Sequence, residues 1–155
     1  VIPENMVVIV DTREQKSPLL LKPPKGLTIV RDTLENGDYG LRGLPNFSIE
    51  RKFMGDIFGY CSSEMVSKTK PKMERFKEMI QQGGWVGLCI EERESDVYKW
   101  QQFTLVSPES VRQAIVSFEI KYGIHVYFNK DKDQIVRWMV DRMVKYYNYV
   151  HNTGG

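Results

Sequence analysis

Cysteine is scarce, with Cys61 and Cys89 the only two in 155 residues. Both sit among apolar neighbours and neither has a Cys or His at a zinc-ligand spacing. A disulfide framework and a structural zinc site are therefore not expected, and the two thiols read as reduced packing residues. Histidine is equally rare, and His125, between Ile124 and Val126, reads as structural. Long hydrophobic runs are missing: none approaches the roughly 18 residues of a membrane span. Val1 to Met6 has neither a basic segment nor an apolar core, so no leader peptide is expected there. There is no glycine-rich phosphate loop, which argues against ATP use. Repeats are absent, and low complexity is confined to a short polar tail, residues 151–155. Charge of one sign is lacking as well. Lys and Arg total 22 against 20 Asp and Glu, a net charge of +2. Any nucleic-acid surface must come from local clustering.

What is present is an ordinary globular composition, 41% hydrophobic and 27% charged. The length suits a single domain, expected over residues 1–150, with a core that needs no cross-links. The first half reads as strands. Val7 to Val10 is a short β-branched run ending at Asp11. Lys22 to Gly26 is a loop, Leu27 to Leu34 a second strand, and Asn36-Gly37 a turn. Tyr39 to Arg42 and Phe47 to Phe53 flank Gly43 to Asn46, which reads as a hairpin loop. The second half changes period. Asp56 to Tyr60 opens a helix, and polar Ser62 to Lys70 reads as a loop. Met73, Phe76, Met79 and Ile80 follow helical spacing up to Gly83-Gly84. Trp85 to Ile90 is a buried strand. Ser107-Pro108 starts a helix with core residues Val111, Ala114, Ile115 and Phe118. Ile124 to Phe128 is another strand, and Ile135, Trp138, Met139 and Met143 mark a closing amphipathic helix. The class is α/β, a sheet flanked by helices.

The informative stretch is Phe47-Ser48-Ile49-Glu50-Arg51-Lys52. Alternation puts Phe47 and Ile49 on one face and Ser48, Glu50 and Lys52 on the other. Asp38 opens the preceding hairpin strand, so it can be brought near Glu50. Asp11 ends an apolar strand, where α/β sheets commonly place functional groups. Converging carboxylates repel one another. A hard divalent cation, Mg2+ or Mn2+, relieves that repulsion through oxygen ligands. Such an ion can activate water and stabilise charge on a phosphate oxygen, and Lys52 can assist. That is the logic of phosphodiester hydrolysis. A Glu-x-Lys pair alone is more often a solvated strand face.

The ordered set is more specific. Val10-Asp11-Thr12-Arg13-Glu14 is followed by Gly37-Asp38-Tyr39, then Glu50-Arg51-Lys52, three residues and Asp56. This closely resembles the nuclease domain of XPF-type structure-specific endonucleases. The resemblance implies a restriction-endonuclease-like core of the PD-(D/E)xK kind, with a central mixed sheet flanked by helices. It implies Asp38 and Glu50 as main metal ligands, the Arg51 carbonyl as a further ligand, Lys52 as the catalytic lysine and Asp11 as an additional active-site acid that also serves the metal. Arg13, Glu14 and Arg51 would support the site. Asp56 matches the last motif acid, and it either joins the site or caps a helix. The implied activity is a metal-dependent DNA endonuclease acting on branched, flap or fork DNA, located wherever DNA is, in a nucleus or a prokaryotic cytoplasm. Family members pair, so a homodimer or a related nuclease-like subunit is implied. No helix-hairpin-helix module is found in these residues, and no clean match to the family pattern is found between Cys61 and Lys72.

Two other readings stand beside this one. A catalytically silent scaffolding subunit would keep the fold and lose the acids, whereas Asp38, Glu50 and Lys52 are intact. A restriction-type enzyme would read a duplex sequence, and the Arg-Lys form of the motif argues against it. Lys68, Lys70, Lys72, Arg75 and Lys77 are the densest basic stretch, either DNA contacts or a solvated helix face and loop. Tyr146, Tyr147 and Tyr149 with Trp138 make the last helix aromatic on more than one side, which points to a protein interface or to core plus exposed tyrosines.

Overall fold

A computed structural model describes residues 1–62 and 66–152. The strands are β1 (Val7–Asp11), β2 (Thr28–Asp32), β3 (Tyr39–Leu41), β4 (Leu44–Lys52), β5 (Trp85–Ile90) and β6 (His125–Phe128). The helices are α1 (Pro18–Leu21), α2 (Met54–Cys61), α3 (Val66–Gln81), α4 (Glu94–Val97), α5 (Pro108–Ile120) and α6 (Lys132–Val150). One mixed sheet has the order β2-β1-β3-β4-β5-β6. β3 runs antiparallel to both neighbours, and the remaining pairings are parallel. The C-terminal ends of β1, β4 and β5 therefore meet the start of β3 at one edge. No described helix is long and apolar enough to cross a membrane.

Two cores sandwich the sheet. One gathers Val8, Val10, Tyr39, Leu41, Phe47, Ile49 and Cys89 under Ile135, Trp138, Met139 and Met143 of α6. The other joins Val86, Leu88 and Ile90 to Ile57 and Phe58 of α2, Met73, Phe76 and Met79 of α3, and Val111, Ile115 and Phe118 of α5. β4 lies between them, so Phe47 to Arg51 are buried without a break. The face that carries Glu50 is covered by helices. Gly87 lets Trp138 lie directly on β5, because a Cβ there would overlap the Trp85 and Trp138 rings. Trp138 thus belongs to the core, not to an interface.

Several boundaries differ from the sequence reading. The hairpin between β3 and β4 turns at Arg42-Gly43, and Pro45 and Asn46 lie within β4. Residues 66–70, expected as loop, form the start of α3, with Pro71 inside that helix. Residues 63–65 of the expected loop lie outside the described residues. Pro71 withholds an N–H from the carbonyl one turn earlier, and the buried apolar stripe begins only at Met73, so composition hid the first turns. α1 and α4 were not expected. At α5 the Ser107 hydroxyl accepts from the Ser110 N–H and Pro108 opens the helix, as read.

Candidate active site

Strand pairing places the acids. Tyr39 pairs with Ile49 in the antiparallel β3–β4 ladder, so Asp38 stands opposite Glu50. The Asp38 N–H donates to the Ile49 carbonyl at 2.9 Å, and the Asp11 N–H donates to the Asp38 carbonyl at 2.9 Å. Val10, Tyr39 and Ile49 all point into the α6-side core. Alternation then turns Asp11, Asp38 and Glu50 to the opposite face. Gly37 makes the turn into β3 with φ +78°, where a Cβ would overlap the Ser48 hydroxyl.

Asp38 and Glu50 form the centre. The Asp38 Oδ2 accepts from the Arg51 N–H at 2.7 Å, and the Asp38 and Glu50 carboxyl groups share a hydrogen bond. Glu50 is 3% exposed. Its Oε2 accepts from the Tyr60 hydroxyl at 3.1 Å and is ion-paired to the Lys72 ammonium. The Lys52 and Lys72 ammonium groups lie 4.6 Å and 5.6 Å from the Tyr60 ring centroid. Burial, then the Glu50 charge, pushes the Asp38 carboxyl up to about 8. Burial opposes ionisation of Glu50 too, but Lys72 and Lys52 outweigh it and hold that carboxyl below its ordinary value. The metal-free pair thus carries one proton between two carboxyls. Burial, with Glu50 as its hydrogen-bond partner, raises the Tyr60 phenol, which stays a donor.

Asp11 is adjacent, but its carboxylate is engaged. The Arg13 Nε donates to Oδ2 at 2.8 Å, the Arg13 Nη2 to Oδ1 at 3.2 Å, and the Leu34 N–H to Oδ1 at 2.8 Å. Burial works against ionisation there, yet the bonds from Arg13 and Leu34 keep the carboxyl below its usual range. Arg13 in turn feels Asp38 and Glu50. Among the described residues no group of three or more His, Cys, Asp or Glu gathers around one point as a metal site. The donor set that is present, two carboxylates closing on one proton, still suits a hard cation that keeps several waters.

The Arg51 side chain goes the other way. It is 1% exposed and follows Phe47 and Ile49 onto the α6-side face. Its Nε donates to Glu14 at 2.8 Å, its Nη1 to Glu91 at 2.6 Å and its Nη2 to the Gln15 carbonyl at 2.7 Å. Glu91, one residue beyond β5, also accepts from Lys132 at 2.9 Å. Glu14 and Arg51 therefore cross-link the site's rear wall. Glu91 directly follows the apolar run of β5, and that position is the one signal the sequence offers for it.

Asp56 sits in the exposed first turn of α2, with Phe53 as the N-cap. Lys68 and Lys70 are exposed on α3. Arg75 donates to the Asn36 side chain at 3.0 Å, beside the turn that precedes Asp38. Lys72, counted with the outer basic residues in the sequence, reaches the centre itself. His125 stacks on Trp85 with ring centroids 5.1 Å apart, on the α6 side of the sheet and so on the face opposite the acids.

The family model for the ERCC4 domain matches residues 10–141. The chain belongs to the ERCC4 domain family. Two solved structures share its fold. XPF from Aeropyrum pernix is 19% identical with a TM-score of 0.64, covering 88% of this chain and 64% of that one. The same protein in complex with DNA is 16% identical with a TM-score of 0.62, covering 92% and 65%. The chain thus spans less than two thirds of the length of these structures. No curated protein sequence matches it. The fold expectation of a mixed sheet of the restriction-endonuclease-like kind holds for this ERCC4 domain.

The protonated carboxyl gives this ERCC4 domain a pH signature. Asp38 is raised from an ordinary 3.8 to about 8. A carboxyl raised by folding favours the native state below its unfolded pKa, and that advantage is lost as pH rises toward the folded value. Metal-free protein should therefore lose stability between pH 4 and 8. Asp38→Asn should remove this slope and be the more stable protein at pH 9, on the order of 2 kcal/mol. Urea unfolding in EDTA at pH 5, 7 and 9 measures it. Equal destabilisation of Asp38→Asn at all three values would contradict the shared-proton picture.

Proposed function

We propose that the domain hydrolyses DNA phosphodiester bonds with Mg2+ or Mn2+. The observation that carries this reading is the pairing of half-buried Asp38 with buried Glu50, closing on a proton beside Lys52 in an ERCC4 domain. Asp38 and Glu50 would hold the ion, with the Arg51 carbonyl as a neighbouring donor. The bound ion supplies Lewis acidity and an activated water. Lys52 neutralises charge building on the phosphate and orients the attacking water. Asp11 acts through Arg13, which it clamps facing the pair, so its role is to position Arg13. Glu14 acts through Arg51. A silent scaffolding subunit is the second reading, and the preserved acids and Lys52 favour catalysis over it.

Branched, flap or fork DNA is the proposed substrate class. Supporting it are the family itself and the related XPF from Aeropyrum pernix, which was solved with DNA. Labelled flap, fork and linear duplex DNA incubated with and without Mg2+ provides the test. Cleavage of branched substrates only with metal is expected. Equal inertness toward all three would favour the scaffolding subunit.

We also propose that the domain pairs with a second copy or a related subunit. On α5 and α6, Val116, Ile120, Tyr149 and Val150 are exposed apolar positions outside the cores; Trp100, Phe103 and Leu105, ahead of α5, are exposed as well. Light scattering over a micromolar dilution series should report a mass above 18.1 kDa that falls on dilution. A constant monomer mass would rule out pairing through this domain.

A further inference from the structure

Lys68, Lys72 and Arg75 recur along α3 at spacings that share one helical face. The face is not simply a solvated one. Lys72 is ion-paired to the Glu50 Oε2, and Arg75 grips Asn36 beside the Gly37-Asp38 turn. The Tyr60 hydroxyl from α2 donates to the same Oε2. Two donors on one oxygen leave Oε1 as the Glu50 oxygen that neither Tyr60 nor Lys72 engages. The Tyr60 ring also lies near both ammonium groups, Lys52 and Lys72, which helps to hold the two cations beside the carboxylate.

We propose that Lys72, together with Tyr60, is a positioning residue of the centre: it fixes Glu50 through Oε2, so that Oε1 alone is presented to the metal. This rests on the metal-dependent reading above. It has a second consequence. A positive charge bonded to a metal ligand repels an incoming cation, so Lys72 weakens metal binding while it orients the ligand. Removing that charge should therefore move metal affinity and turnover in opposite directions. A lysine that only touches DNA phosphates would move neither metal affinity nor kcat, and would raise KM.

Calorimetric titration of Mn2+ into the DNA-free domain, wild type against Lys72→Met, separates these roles. Methionine keeps the stem and removes the charge. The expected result is about tenfold tighter Mn2+ binding in Lys72→Met, equivalent to ~1.4 kcal/mol. On flap DNA the same variant should lose at least tenfold in kcat with little change in KM, and Lys72→Arg should recover part of the loss. Tyr60→Phe, which keeps the ring and loses the donor, should lower kcat several-fold at unchanged KM. Equal Mn2+ affinity in wild type and Lys72→Met overturns the inference, whether or not DNA is cut. A change confined to KM overturns it as well. Absence of cleavage by the wild type, with the Mn2+ difference present, would instead count against the nuclease reading alone.

Discussion

Glu50→Gln is expected to abolish cleavage, by on the order of 1,000-fold or more, while the protein stays folded. The substitution is nearly isosteric and removes no apolar contact from either core. What it removes is the one ionised carboxylate of the centre, and with it the charge that draws the cation. The Tyr60 hydroxyl can still donate to the remaining amide oxygen. Lys72 loses its counter-charge but is partly open to water, with 27% of its side chain exposed. The unfolding midpoint should therefore shift little. Cleavage rates and urea curves measured on the same preparation check both halves. Near-normal cutting by Glu50→Gln would remove Glu50 from the mechanism. Lys52→Ala should likewise cost a large factor in rate with a smaller effect on metal affinity, since an ammonium is no metal ligand.

The largest stability effect is expected at Arg51. Arg51→Ala would leave the Glu14 carboxylate buried without its cation and Glu91 with Lys132 alone, the two acid side chains being 9% and 4% exposed. Breaking a buried ion pair from one side costs about 3–5 kcal/mol. Here one guanidinium serves two carboxylates and the Gln15 carbonyl, so the upper end is expected. Lys132→Ala removes a half-exposed partner of Glu91 and should cost about 1 kcal/mol or less. Urea unfolding of both variants provides the comparison. A loss below about 1 kcal/mol for Arg51→Ala would mean that the carboxylates find other partners or take up protons cheaply.

The Asp38–Glu50 encounter was legible because two local signals agree. The Gly37 turn fixes where β3 begins, and the alternation of Phe47 and Ile49 fixes which way Glu50 faces. Arg51 carried a readable signal too. Period two sets it on the apolar face with Phe47 and Ile49, and a charge there requires buried partners; Glu14 and Glu91 are those partners, brought in from distant segments by the fold. The engagement of Asp11 by Arg13 was not legible, since it depends on side-chain direction rather than strand order. Lys72 was grouped by density with Lys68 and Lys70, and only the start of α3 at Val66 shows which way each one points. α1 is too short to show periodicity, yet its Ser17-Pro18 start repeats the Ser107-Pro108 signal that located α5. Trp138 looked like surplus because the space that receives it is made by Gly87, a residue on another strand.

The central claim is that Asp38 and Glu50 together exchange a shared proton for a divalent cation. Calorimetric titration of Mn2+ in two buffers of different ionisation heat tests it most directly, comparing wild type with the Asp38→Asn, Glu50→Gln double variant. The account predicts binding by the wild type with release of up to one proton at neutral pH, an affinity that rises with pH toward about 8, and no binding by the double variant. Equal binding by both proteins, with no proton released, would place the metal elsewhere and contradict the account.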